Sequence, residues 1–149
     1  MQVEDYNQYK YLMENKIIEL KISDKEFEAL NKCTPEVRYQ YAMKRIAGTE
    51  AIWLIWNDET HLAIQFMGKE RLLPMWSSRE YAQAFCADDF RSCKCKAVTI
   101  EYFVESIIDV ICEDELLINV FPTQQECRGK VVDLNTFAED LSKELEDYD

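Results

Sequence analysis

Only three glycines, Gly48, Gly68 and Gly129, occur in the chain. They stand about twenty or more residues apart, so neither a G-x-G-x-x-G turn nor a Walker A loop, which need clustered glycines to bring backbone N–H groups onto phosphate, can be assembled. Proline is as scarce, with three, and few long loops are expected. Histidine occurs once, at His61, so a cysteine or serine nucleophile has a single imidazole to draw on. No run of about 18 apolar residues exists, which excludes a transmembrane helix. The opening residues, MQVEDYNQYKYLMENK, place acids and amides where a secretory signal needs a basic start and an apolar centre. A cytoplasmic location is therefore expected. Basic residues are also in deficit, with 17 against 29 acidic ones and a net charge of -12. That balance opposes a nucleic-acid backbone, which is bound by displacing counterions with Lys and Arg.

What is present suits one folded domain, residues 1–149. Hydrophobic residues make up 48% of the chain, the share of a globular protein rather than a disordered one. A chain of this length buries roughly 70% of its unfolded surface, enough for a core without staples. The six cysteines (Cys33, Cys86, Cys93, Cys95, Cys112 and Cys127) accordingly read as thiols. The acidic charge is mostly dispersed and reads first as a solvated surface that favours solubility; the alternative it offers is steering of a basic protein partner.

Residues 6–20 place Tyr6, Tyr9, Met13, Ile17 and Leu20 at helical spacing, although residues 17–22 also fit a strand. Ser23 and Glu26 form a capping box for a short helix. Thr34-Pro35-Glu36 starts another, with Tyr39, Ala42, Met43 and Ile46 as its apolar stripe and Gly48 at its end. Ala51–Trp56 is apolar throughout, as in a strand covered on both faces. In the next strand Leu62, Ile64 and Phe66 alternate with His61, Ala63 and Gln65. Residues 71–75 form a third strand, in which Pro74 implies an edge or an end. Ser77 or Ser78 caps a helix carrying Tyr81, Ala82, Phe85 and Cys86. Residues 93–98 then read as a strand, Thr99 caps a helix with Ile100, Phe103, Val104, Ile107, Ile108 and Ile111 on one stripe, residues 116–121 form a strand, and Asp133 caps a last helix. The fold class that follows is α+β. Its sheet is a mixed five-stranded one, a three-strand antiparallel meander plus a right-handed, parallel strand–helix–strand unit, packed with helices.

For chemistry the residues offer little. Cys86, Cys93 and Cys95 converge if the helix lies on the strand, but C-x₆-C-x-C is not a zinc spacing and buried thiols explain the pattern, so no metal and no cofactor is expected. Ser77 and Ser78 lack the glycines of a nucleophile elbow, and a helix cap accounts for a serine there. Asp88 and Asp89 are adjacent carboxylates with no shown cleft. No residue is a candidate catalyst.

Aromatic residues are the better binding candidates. Trp53 and Trp56 point to opposite faces of one strand, so one of them belongs to the core while the other either packs under a helix or helps form a surface pocket. Trp76 and Phe121 sit at strand ends beside Pro74 and Pro122. If those ends are neighbours, Trp76, Ser77, Ser78, Phe121, Pro122 and Thr123 line one rim, which together with Trp56 is the candidate ligand or partner site. The alternative is that these residues merely close the core.

The segments S-x-K-E-F-E-A-L (Ser23 to Leu30), Glu36-x-Arg38-Tyr39, Trp53, L-P-M-W (Leu73 to Trp76), A-x-x-F-C (Ala82 to Cys86) and V-F-P-T (Val120 to Thr123) together resemble a small bacterial family catalogued as domain of unknown function 2750. The likeness covers residues 23–147 and leaves 1–22 as an N-terminal segment. Phe90 stands where that family usually has a second tryptophan. The L-P-M-W-S-S and L-L-I-N-V-F-P segments are similar, more loosely, to the SseB-type secretion-enhancer domain. The first resemblance implies a fold and a bacterial origin but no activity. The second, with small acidic immunity proteins, suggests binding rather than catalysis. The expected function is thus a non-catalytic acidic protein-binding module with a basic partner, an immunity-type inhibitor being one form. The alternative is a small-molecule binder or enzyme using the Trp76–Phe121 rim.

Overall fold

The structure is a computed structural model that describes residues 17–147. The helix expected over 6–20 lies outside the described residues up to position 16, and 17–23 carry no regular structure. Helices begin where cap signals stand. Ser23 Oγ accepts the Glu26 N–H at 3.1 Å and opens α1 (Asp24–Asn31). Thr34 opens α2 (Pro35–Thr49), with the proline in the first turn, where its missing N–H costs no hydrogen bond. This helix runs through Gly48 and stops instead at Glu50, whose left-handed φ of 57° turns the chain.

Next come β1 (Ala51–Trp56), β2 (Gln65–Met67) and β3 (Glu70–Met75). They are followed by α3 (Arg79–Phe85), a 3₁₀ turn at Asp88–Phe90 and β4 (Lys94–Thr99). The helix α4 spans residues 100–113, and Thr99 Oγ1 accepts the Tyr102 N–H at its start. A π turn at Phe103–Ile107 interrupts α4, and the extra residue in that turn rotates the stripe. Val104, expected inward, is therefore 56% exposed, while Tyr102 and Val110 are buried. The chain closes with β5 (Leu117–Val120), β6 (Lys130–Val132) and α5 (Leu134–Glu146), the last capped by Asp133.

The α+β class and the mixed sheet are as expected; the strand pairing differs. Among the described residues, six strands form two ladders, β1–β4 and β2–β3–β5–β6. The parallel neighbours are β3 and β5, with Pro74 opposite Asn119, whereas β4 runs antiparallel to β1. Residues 62–63 bridge to the end of β1, through the Trp56–Leu62 bridge and an Ala63 N–H to Ile55 carbonyl bond. On that same edge Trp53 and Trp76 exchange two backbone hydrogen bonds of 2.9 Å, which tie the ribbon to the end of β3. The meander is therefore split, and the far edge of β1 takes β4. Pro74 fits because β2 pairs no farther along β3 than Leu72, so no partner there needs its N–H.

The break in strand pairing at residues 63–64 also shifts the alternation. Gln65 is 5% exposed and Phe66 is 75% exposed. All three tryptophans join one core with Ile52, Leu54, Met75, Ile118 and Phe137. No helix among the described residues is long and apolar enough to cross a membrane.

Candidate functional site

The segment from Phe121 to Gly129, between β5 and β6, is fastened from several sides. Phe121 has a left-handed φ of 57°, a conformation that costs a bulky residue about 1–3 kcal/mol and persists only where its surroundings enforce it. Its N–H bonds the Met75 carbonyl at 2.8 Å and its carbonyl accepts from Arg38 Nε at 3.1 Å. Its ring packs on Tyr81, 4.5 Å between centroids. Pro122 offers its carbonyl to Trp76 Nε1 at 2.9 Å. The Thr123 hydroxyl accepts the Glu126 N–H, and the Thr123 N–H returns a bond to the Glu126 carbonyl.

Two buried polar residues hold the rest. Arg38 is wholly buried, and its Nη1 reaches the Cys33 carbonyl at 2.6 Å and Glu126 Oε1 at 3.0 Å. Asn119, also fully buried, donates to Gln65 Oε1 and the Cys127 carbonyl and accepts the Gly129 N–H. Gly129 is required there, since a Cβ would stand 2.4 Å from the Val120 carbonyl oxygen.

The structure brings Trp76, Ser77, Ser78, Phe121, Pro122 and Thr123 to one place, and all six are buried. Trp56 does not join them. It is fully buried three residues farther along β1, with its Nε1 on the Lys96 carbonyl and the Lys96 ammonium over its ring. Ser78 is the N-cap of α3, yet its hydroxyl makes no capping bond, and Ser77 Oγ has no hydrogen-bond partner among the described residues.

Openings lie to either side of the fastened segment. The smaller, about 220 Å³, lies among Phe27, Asn31, Tyr81, Phe121 and Pro122. The larger, about 460 Å³, has Gln65, Phe66 and Met67 of β2 on one wall and Phe85 with Ala87 to Phe90 on the other. Rings connect the buried rim to this larger cleft: Trp76 to Phe85 at 5.2 Å, then Phe85 to Phe90 at 5.5 Å. Asp88, with a left-handed φ of 50°, and Asp89 bring two carboxylates to its lip. The cleft thus combines an apolar, aromatic floor with negative charge.

Sequence reading missed this cleft. Alternation puts Phe66 on the same face as Leu62 and Ile64, the apolar set of its strand, and the sequence shows Asp88-Asp89 only as neighbours along the chain. The one usable signal was Phe90, at a position the family resemblance marks as aromatic. His61 lies outside both clefts, with Nδ1 on Asp58 at 2.8 Å inside its own turn. All six cysteines are free, and Cys86 and Cys95 approach to 3.7 Å while Cys93 donates to Asn57 Oδ1. Among the described residues no three or more His, Cys, Asp or Glu side chains are grouped to hold a metal ion.

The sequence profile of the family described as "Protein of unknown function (DUF2750)" matches residues 39–141, more than half of the chain and within the 23–147 stretch expected. The likeness to the SseB-type domain finds no support. No curated protein and no solved structure matches the chain.

Proposed function

Starting from membership of the DUF2750 family, to which this chain belongs, we propose that it is a non-catalytic, acidic protein-binding module for a basic protein partner. An exposed partner segment, Lys or Arg beside an apolar side chain, seats in the larger cleft. One observation carries this reading: Phe66, 75% exposed, lines the same cleft as Asp88 and Asp89, together with the rings of Phe85 and Phe90. Large apolar side chains left in water at a cleft mark interaction sites, and the net charge of -12 steers a basic partner to them. We place the module in the reducing cytoplasm, where six free thiols persist.

Volume argues against the small-molecule alternative at the Trp76–Phe121 rim. The opening there, about 220 Å³, falls below the roughly 300–1,000 Å³ typical of ligand pockets, and Trp76 itself is sealed under Pro122.

The test is calorimetric titration with a short peptide of alternating Lys and Leu, against its Glu-for-Lys counterpart. The Lys peptide binds, more weakly as salt rises. Phe66→Ser and the pair Asp88→Asn with Asp89→Asn each weaken it about tenfold, the scale of losing one anchor. Equal affinity for the two peptides, or variants that bind like the parent, would refute the reading.

A further inference from the structure

Cys86 and Cys95 bracket the segment that carries Asp88, Asp89 and Phe90, one wall of the larger cleft. Cys86 is the C-cap of α3, and Cys95 lies in β4 opposite Ile55. Ala97 lies opposite Trp53, so Trp53, Ile55, Ala97 and Cys95 share one face of the ribbon, and α3 packs on that face. The result is an Sγ–Sγ separation of 3.7 Å. A disulfide needs about 2.05 Å, so a closure of about 1.7 Å joins the two sulfurs.

The two thiols are chemically unequal. Arg79, in the first turn of α3, stands over the Trp53 ring at 4.5 Å and brings a positive charge to this face. The hydrogen bond with Cys86, and then the Arg79 charge, hold the Cys95 thiol below its ordinary value. Cys86, hydrogen-bonded to Cys95 and half-buried, is pushed up. Cys95 is thereby the more readily ionised thiol and the nucleophile, and Cys86 the resolving partner, the division of labour a reactive dithiol needs. Cys93 is directed to Asn57 and is raised by burial.

We propose that Cys86 and Cys95 form a hydroperoxide-responsive dithiol whose disulfide closes the 87–94 loop and fixes one wall of the cleft. The Cys95 thiolate attacks a peroxide oxygen; an S–O bond forms, the O–O bond breaks, and the alcohol (water, for hydrogen peroxide) leaves with a proton. The Cys86 sulfur then attacks the sulfenic sulfur of Cys95. The S–S bond forms, the S–O bond breaks, and hydroxide leaves with the Cys86 proton as water. Two thiols and one hydroperoxide give one disulfide, one alcohol and one water, the two sulfurs supplying the two electrons that reduce the peroxide.

The experiment uses the folded full chain, one equivalent of hydrogen peroxide, alkylation of the remaining thiols and tryptic mapping without reductant. Cleavage after Arg79, Arg91, Lys94 and Lys96 puts Cys86, Cys93 and Cys95 on separate peptides. The expected result is loss of two of the six thiols, a link between peptides 80–91 and 95–96, and full recovery with dithiothreitol. In Cys86→Ser a sulfenic acid is trapped by dimedone at Cys95. Oxidation of the exposed Cys112 and Cys127 ahead of the pair, or a dominant link through Cys93, would overturn the proposal, and this wild-type map decides even if the variant fails to fold.

The effect on the cleft rests on the binding reading above. Pre-ordering the wall lowers the Kd for the Lys–Leu peptide about threefold. A disulfide that forms and leaves that Kd unmoved overturns the coupling. A reduced protein that binds the peptide but never forms the disulfide overturns this proposal and leaves the binding reading standing.

Discussion

Replacing Arg38 with Met removes the charged clamp on residues 121–126 while keeping most of the side chain's volume. The guanidinium bonds two backbone carbonyls, those of Phe121 and Cys33, and one carboxylate, Glu126. Each buried acceptor left without a donor costs about 1–3 kcal/mol, so the two carbonyls together cost about 2–6 kcal/mol. Against this, the variant no longer holds a buried charge, and relief of that desolvation returns part of the cost. Glu126, with its side chain 47% exposed, rehydrates and adds little. The balance is a loss of about 3 kcal/mol. Urea unfolding reads it as a fall in midpoint of roughly 1.5 M for a slope near 2 kcal/mol/M. Lysine in place of Arg38 recovers less than half, because one ammonium cannot reproduce the planar fork that spans the Phe121 and Cys33 carbonyls. Glu126→Gln costs under about 1 kcal/mol. A Met variant within about 1 kcal/mol of the parent, or a Lys variant as stable as the parent, would show that the 121–126 segment does not depend on this clamp.

Asn119→Leu keeps the volume but strands the Gly129 N–H, and one bond each of Gln65 and the Cys127 carbonyl; denaturant unfolding should show a loss of about 3 kcal/mol, and a loss under 1 would contradict the network. Glu50→Gly relieves a left-handed residue exposed at the end of α2 and raises stability by about 1 kcal/mol, a gain of about 2–4 °C in Tm by calorimetry. The Asp58 carboxyl, accepting the Thr60 N–H and contacting His61, is held at about 2 against an ordinary 3.8. Because the folded value is depressed, its stabilisation is present above pH 3.8 and is lost as pH falls through about 2. Carboxyl titration by NMR checks this, and an unshifted titration would remove the turn's electrostatic account.

Local signals carried most of the element boundaries. Ser23, Thr34, Thr99 and Asp133 each cap a helix with the side chain, as their types and spacing foretold, because capping is decided within four residues. The apolar run of β1 likewise announced a strand buried on both faces. What failed was non-local. Nothing in 93–98 says that it pairs with β1 rather than with 116–121, because both strands are apolar enough to accept either neighbour. Alternation failed at Gln65 and Phe66, where the irregular stretch at 63–64 resets the phase, and in α4, where a π turn does the same. Arg38 was illegible as a core residue since charged side chains are almost never fully buried unless paired; its partner, Glu126, is 88 residues away. The rim was half legible: proline-flanked aromatics at strand ends did mark the Trp76–Pro122 contact, but burial turned it into a foundation, and the open cleft lies beside it.

The binding reading stands or falls on where a ligand touches the surface. Amide chemical shifts followed during titration of the Lys–Leu peptide give that map directly. The account predicts saturable shifts at Phe66, Met67, Asp88, Asp89, Phe90 and Gln124, abolished by Phe66→Ser. Shifts confined to Phe27, Asn31, Tyr81 and Gln125 around the smaller opening, or spread evenly over acidic residues without saturation, would contradict it.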